Sequence, residues 1–175
     1  MEDFSCLAAA RRSMRKFTDE KLTQEEIRLL ERAALIAPTS KHTNGWEFVA
    51  VDDPALLQAL SVSRESGAAF VAEAPWALVI FGNPSVTDAW IEDSAIAAIM
   101  VQLQAADLGL GSCWAHIRNR FAADGTPTAD AVRKLLGVPA PYEPLCIIAV
   151  GHKGMERKPF NEDNIQWEKI HCNKF

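Results

Sequence analysis

A chain of 175 residues, 49% apolar and 23% charged, is long enough for one domain with a real core, and the composition is ordinary for a soluble globular protein. Its formal net charge of -5 argues against nucleic acid as a partner, and no apolar run approaches the roughly 20 residues that span a bilayer. Met1-Glu2-Asp3 opens the chain on acid with no apolar segment behind it, so no signal peptide is expected. Cys6, Cys113, Cys146 and Cys172 lie far apart with no CxxC pair, which fits a reduced, cytoplasmic chain.

A short first helix is expected over residues 4–10, with Phe4, Leu7 and Ala8 on one face and the arginines at or just past its C-terminus, near Arg12. It runs into Arg11-Arg12-Ser13-Met14-Arg15-Lys16-Phe17, where four cations and a hydroxyl fall within six residues. In an acidic chain such a cluster stays solvated, complements the negative end of a helix dipole, or clamps an anion. Arginine's planar fork of donors matches phosphate oxygens, and Ser13 adds a hydroxyl. Thr23-Gln24-Glu25-Glu26 is a capping box that opens a helix over 24–36. Ile27, Leu30, Ala33, Ala34 and Ala37 face inward, and Pro38 stops the helix. The loop 38–45 is polar apart from its proline and suits either a polar ligand or a plain surface connection.

Residues 46–51 alternate as a strand, and Asp53-Pro54 opens a helix running to about Leu60. A short helix is expected over 66–73, ended by Pro75. Residues 76–81 are wholly apolar and belong in the middle of a covered sheet. The longest helix is expected over 88–108. Ile91, Ala95, Ile99, Leu103 and Ala106 recur at helical spacing, and Ala97, Ala98, Val101 and Ala105 carry the apolar surface around most of the cylinder. Such a helix is buried in a core or in a subunit interface.

Gly109 and Gly111 end that helix, and 112–117 is extended. Thr128 is expected to cap a helix carrying Val132, Leu135 and Leu136, closed by Gly137. Residues 145–150 form a third apolar strand. The arm 151–175 is polar, with Phe160, Ile165, Trp167, Ile170 and Phe175 as anchors on this subunit or a partner. The mixture of helices and apolar strands makes an α/β or α+β sandwich.

Side-chain chemistry is poorly provided for. Ser13, Ser40 and Ser112 lack a G-x-S-x-G context, and Cys113 and His116, three apart on a strand, point to opposite faces. His42, His116, His152 and His171 show no metal-ligand spacing, so no metal is expected. Gly109-Leu110-Gly111 ends a helix where a dinucleotide fingerprint would open one. Glu92 and Asp93 read as a solvated helix edge or a charge pair. With no obvious acid, base or nucleophile, no catalytic side chain is assigned and the chemistry falls to a cofactor.

Four segments, in order, resemble the flavin-dependent nitroreductases. Arg11 to Phe17 resembles that family's N-terminal R-x-S-x-R/K signature. Ala37-Pro38-Thr39-Ser40 through Trp46-Glu47-Phe48 is similar to its A-P-S-S…Q-P-W-x-F segment. Leu108 to Trp114 resembles its G-L-G-x-x-W segment, and Gly151-His152-Lys153 through Arg157-Lys158-Pro159 is similar to its closing strand and basic turn. The resemblance implies an α+β fold, a three-layer α/β/α sandwich with a mostly antiparallel central sheet. It also implies an intertwined homodimer with FMN at the interface. Residues 1–175 are then one FMN-binding domain, with 152–175 an arm over the partner.

By the same resemblance, Arg11, Ser13 and Arg15, with Arg12, hold the FMN phosphate and ribityl groups, and Arg157 or Lys158 closes the phosphate site. Pro38, Thr39 and Ser40 touch the flavin from the other subunit, with His42 and Asn44 in the same loop. Backbone groups of Trp114, Ala115 and His116 face the isoalloxazine ring. There are departures. Asn44-Gly45 replaces Gln-Pro, His42 stands where Asn is common, and 68–73 lacks the Asn and Lys that some relatives aim at the ring. The function implied is an FMN-dependent NAD(P)H oxidoreductase. It would pass hydride in a ping-pong cycle through flavin N5 to a small organic acceptor such as a quinone or nitroaromatic. The alternatives are a non-catalytic flavin binder, or a specialised dehalogenase or flavin-fragmenting enzyme of the same fold.

Overall fold

The computed structural model describes residues 3–175. Its elements run α1 (Phe4–Ala10), α2 (Gln24–Leu35), β1 (Trp46–Val51), α3 (Pro54–Ser61), β2 (Trp76–Gly82), α4 (Trp90–Asp107), β3 (Gly111–His116), α5 (Thr128–Leu136) and β4 (Glu143–Gly151). The four strands make one antiparallel sheet in the order β1-β2-β4-β3. The two inner strands are the most apolar. β2 is buried at every residue, and β4 at every residue after Glu143.

A strand that is apolar on both faces needs cover on both faces, and this sheet has it. Ala77, Val79, Phe81, Ile147 and Ala149 pack with Leu57 and Leu60 of α3, Val132 of α5 and Phe70. On the other face Trp76, Leu78, Ile80, Ile148 and Val150 pack with Leu30 and Ala34 of α2 and Ala98, Val101 and Ala105 of α4. The result is the expected α/β/α sandwich, with all four strands antiparallel.

The local signals act as the sequence predicts at α2 and α3. Thr23 Oγ1 accepts from the Glu26 N–H at 3.2 Å, and Glu26 Oε2 accepts from the Thr23 N–H at 2.7 Å. Asp53 Oδ1 accepts from Ala55 and Leu56, with Pro54 in the first turn. The bond from the Thr23 backbone, with further help from its hydroxyl, lowers the Glu26 pKa below its ordinary value of 4.5. A carboxylate lowered on folding stabilises above its unfolded pKa, and the gain is lost as pH falls through the folded value. Thr23→Ala is therefore expected to cost about 1 kcal/mol at pH 7. Urea midpoints should show the penalty shrinking as the pH falls through the lowered pKa of Glu26.

α1 stops at Ala10 with the arginines just past its end, as expected, because the chain turns extended at Arg11 (φ -60, ψ 117) to enter a pairing with β3. Three local expectations are corrected. Residues 66–73 do not form a helix. Gly67 sits at φ 81, and only Ala69–Val71 closes a single 3-10 turn, too short to nucleate an α-helix. Thr128 is not a cap: Pro127 occupies the N-cap position, and the Thr128 hydroxyl is buried without a partner. Glu92 and Asp93 are not a solvated pair, since Asp93 is only 3% exposed.

α4 turns Ala98, Val101 and Ala105 to the sheet and also buries Ala97, leaving Ile96 and Ile99 exposed at 37% and 39%. In the arm, Phe160, Trp167, Ile170 and Phe175 are exposed, so these anchors do not bury themselves on their own protomer.

Candidate functional site

The basic segment is a strip of extended chain laid against two strand ends. Ser13 bridges Ser112 in parallel, and the Met14 N–H donates to the Ser112 carbonyl at 2.9 Å. Phe17 then pairs antiparallel with Lys153. The Gly154 N–H donates to Lys16 and the Thr18 N–H donates to His152, at 3.0 and 3.1 Å. Met14 pins the strip by burying its side chain to 4% exposure. Alternation along extended chain then puts Ser13 and Arg15 on the side opposite Met14.

Ser13, Arg15 and Arg157 gather around Cys113. Burial pushes the Cys113 thiol up, and the Arg15 charge, a hydrogen bond with Ser13 and the Arg157 charge each pull it partly back. The Arg15 guanidinium also lies 6.0 Å from the Phe70 ring centroid. Arg12 reaches the same closing turn differently, donating from Nη1 to the Lys158 carbonyl at 3.0 Å.

Among the described residues the only contacts within 4.0 Å between a basic side chain and a carboxylate join Arg133 to Asp130 and Glu143, and His152 to Glu20. Arg11, Arg12, Arg15, Lys16, Arg157 and Lys158 thus have no carboxylate within 4.0 Å, in a chain whose 23 acidic residues outnumber its 18 basic ones. The cleft beside Arg11 and Arg12 is also lined by Met14, Ser112 and Lys153.

β3 is an edge strand, and its hydrogen-bonding direction can be worked out. The Ser112 carbonyl meets Met14 on the outer side, so Ser112, Trp114 and His116 present their backbone groups outward, while Cys113 and Ala115 bond to β4. Ile117, which continues the alternation, donates inward to Leu145 at 3.0 Å. Beyond the Ser13 bridge, the Trp114 and His116 N–H groups have no acceptor among the described residues. Two parallel donors on an open edge, next to unneutralised guanidiniums, are chemically able to hydrogen-bond a flat polar ring that carries an anionic tail.

His116 is held uncharged at neutral pH. Burial lowers its pKa first, followed by the charges of Arg120, Arg64 and Arg118; a backbone contact with Arg118 opposes this in part. Trp114 Nε1 donates to His116 Nδ1 at 3.4 Å with the rings 6.2 Å apart and nearly parallel.

The loop 38–45 sits at the opposite edge of the sheet, before β1. Lys41, His42 and Asn44 take left-handed backbone angles (φ 52, 56 and 46), which non-glycine residues keep only where their surroundings hold them. Asp93 Oδ1 accepts from the Ser40 N–H at 2.8 Å, and Thr39 Oγ1 accepts from the Asn44 N–H at 3.1 Å. Pro38, His42 and Asn44 are exposed, and Thr39 and Ser40 half-buried. One protomer therefore does not bring Pro38, Thr39, Ser40, His42 and Asn44 together with Arg11, Arg12, Ser13, Arg15, Trp114, Ala115, His116, Arg157 and Lys158.

The sequence reading named Asp93 but missed its role of holding the Ser40 loop, because that partner lies 53 residues away. Asp93→Ala should cost about 1–3 kcal/mol in urea unfolding. It should also speed hydrogen exchange at the Ser40 amide while the Leu30 amide in the core of α2 stays protected.

Among the described residues no group of three or more His, Cys, Asp or Glu side chains converges as a metal site, and no helix is long and apolar enough to cross a membrane.

The nitroreductase family model matches residues 8–63 and 57–152. The chain is 41% identical to a solved structure described as an FMN-dependent nitroreductase of Clostridium difficile R20291, with a TM-score of 0.95 over 98% of this chain and 99% of that one. It is 27% identical, over the full length of both chains, to an Archaeoglobus fulgidus protein provisionally named NADH dehydrogenase/NAD(P)H nitroreductase. It is 31% identical to the FMN reductase (NADPH) of Bacillus subtilis over 81% of this chain and 62% of that relative. With likeness of that extent running through the basic strip, the β3 edge and the 38–45 loop, this protein belongs to the nitroreductase family.

Proposed function

We propose that the protein is an FMN-dependent NAD(P)H oxidoreductase acting on a small organic acceptor. The observation that carries this reading is the set of cations without counter-ions around Ser13, set beside the open donor edge of β3. In this reading Arg11, Ser13 and Arg15, with Arg12 and Arg157, hold the flavin phosphate by charge-assisted hydrogen bonds. The outward N–H groups of Trp114 and His116 meet the polar edge of the ring.

Bound flavin supplies the site at N5 that takes hydride from the donor and returns it to the acceptor. The protein's share is to bind, orient and exclude water. His116 is not arranged as an acid: it is uncharged at neutral pH and its Nδ1 is engaged by Trp114, so its one ring proton sits on Nε2. The proton that completes reduction of the acceptor then comes from solvent.

The loop 38–45 completes the site from a second copy of the chain, since in one protomer it stands at the far sheet edge. The exposed Ile96 and Ile99 of α4 and the exposed Trp167, Ile170 and Phe175 of the arm suit burial against that copy. Four free cysteines, two of them exposed, suit a reducing cytoplasm.

The test is spectroscopic. The purified protein, loaded with FMN, should show an oxidised flavin spectrum that bleaches anaerobically with NADH or NADPH and returns when a quinone is added. Flavin that stays oxidised with both donors leaves a binder and removes the oxidoreductase. Light scattering should give the mass of a dimer.

A further inference from the structure

Arg64, Arg118 and Arg120 converge at the far end of β3, apart from the basic strip. Arg64 Nη1 donates to the outward carbonyl of His116 at 3.0 Å, so its guanidinium stands on the open edge itself. Arg118 and Arg120 follow in a tight turn, closed by the Arg120 N–H to the Ile117 carbonyl at 3.1 Å with Asn119 left-handed at φ 54. The turn is pinned from three sides. Arg118 donates to Leu145, Thr128 donates to the Arg120 carbonyl, and Glu65 donates to Phe121, at 3.2, 2.9 and 2.9 Å. All three charges reach His116, and Arg120 also acts on Arg64.

Among the described residues none of the three has a carboxylate within 4.0 Å. Like charges held together on a pinned scaffold repel, and among the described residues no carboxylate within 4.0 Å offsets the cost. Arg64 spends one donor on His116 and Arg120 one on the Asn119 carbonyl; the remaining guanidinium donors are free for a ligand. Phe121, 56% exposed, adds an apolar surface next to them.

We propose that Arg64, Arg118 and Arg120 form a second anion site, which takes the phosphate or carboxylate oxygens of the molecule exchanging electrons at the β3 edge. The proposal rests on the oxidoreductase reading for the identity of its ligand, and on the guanidinium cluster alone for its existence. Two sources carry such oxygens: the pyrophosphate of the nicotinamide dinucleotide, and an anionic group on the acceptor. Either would be anchored by its charged end while its reactive end reaches the ring.

Arg118→Gln/Arg120→Gln removes two charges while keeping side-chain length, and it leaves the Arg64–His116 bond in place. In calorimetry on FMN-loaded protein, inorganic pyrophosphate should bind the wild type and bind this variant about tenfold or more weakly, one such factor being worth 1.4 kcal/mol. FMN content should be unchanged, and Arg118→Lys/Arg120→Lys should recover part of the affinity. With the dinucleotide as source, KM for NADH rises about tenfold. KM for N-benzyl-1,4-dihydronicotinamide, which has no phosphate, then moves less than twofold. With the acceptor as source, NADH is unaffected and KM for 4-nitrobenzoate rises against that for its methyl ester.

Pyrophosphate affinity within twofold of wild type overturns the site. So does an affinity loss with no change for any charged substrate, or an equal rise in KM for both donors. If FMN does not load, the same titration in an Arg11→Ala/Arg15→Ala background reads this cluster by itself. Binding lost there on changing Arg118 and Arg120 keeps the anion site while the flavin reading falls; binding unchanged there overturns the site.

Discussion

An Arg11→Ala/Arg15→Ala protein is expected to purify folded but without flavin. Among the described residues neither side chain forms a hydrogen bond or ion pair, and the one cation–π contact is Arg15 over Phe70 at 6.0 Å. A cation–π contact of that kind contributes about 0.5–1 kcal/mol, so the melting temperature should fall only slightly. The ligand side differs in scale. A hydrogen bond to a charged group is worth about 1.5–3 kcal/mol, and two such losses correspond to about 3–6 kcal/mol, or a hundred- to ten-thousandfold in Kd. FMN fluorescence titration reads this directly, and raising the salt should narrow the gap between wild type and variant. A variant that keeps stoichiometric flavin would show that the strip is an ordinary basic surface.

The contrast between fold and site in the sequence follows from distance along the chain. The Thr23–Glu26 box, the Asp53–Pro54 start and the left-handed Gly137 that closes α5 are each decided within four or five residues, and each is where the pattern put it. The 76–81 run is legible for the same reason: six apolar residues in a row need two covered faces. The 66–73 stretch misleads because its apolar residues suit a helix while Gly67, at φ 81, does not continue one.

The site draws its geometry from pairs far apart in sequence. Asp93 meets Ser40 across 53 residues and Arg64 meets His116 across 52, and no local period encodes either. The composition of the basic strip was readable, and so was its likeness to a family motif. Its shape was not, because the strip takes its extended form from Ser112 and Lys153 rather than from its own propensity.

Gly154→Ala is expected to loosen the site from outside it. A Cβ at residue 154 would lie 2.8, 2.9 and 3.0 Å from the Phe17 carbonyl oxygen, carbonyl carbon and nitrogen. All three are backbone atoms, so no side chain can swing aside. Relief requires the strip to lift from the turn, breaking the Gly154–Lys16 and Thr18–His152 bonds. Overpacking of about 1–3 kcal/mol, with two hydrogen bonds at about 0.5–1.5 kcal/mol each, gives an expected loss of about 2–6 kcal/mol. Arg15 and Ser13 lie two and four residues before Phe17 and move with it, so FMN should bind at least ten times more weakly although every cation is still present.

Gly125→Ala is the control. Gly125 is left-handed at φ 84, and a methyl group there would meet nothing within 4 Å. Its change should cost about 1–2 kcal/mol of backbone strain without touching flavin affinity. Equal loss of flavin in both variants would mean that global stability, not the seat of the strip, governs retention. Loss in Gly154→Ala alone would mean that the close approach of two backbones, which only glycine permits, sets where the cations stand.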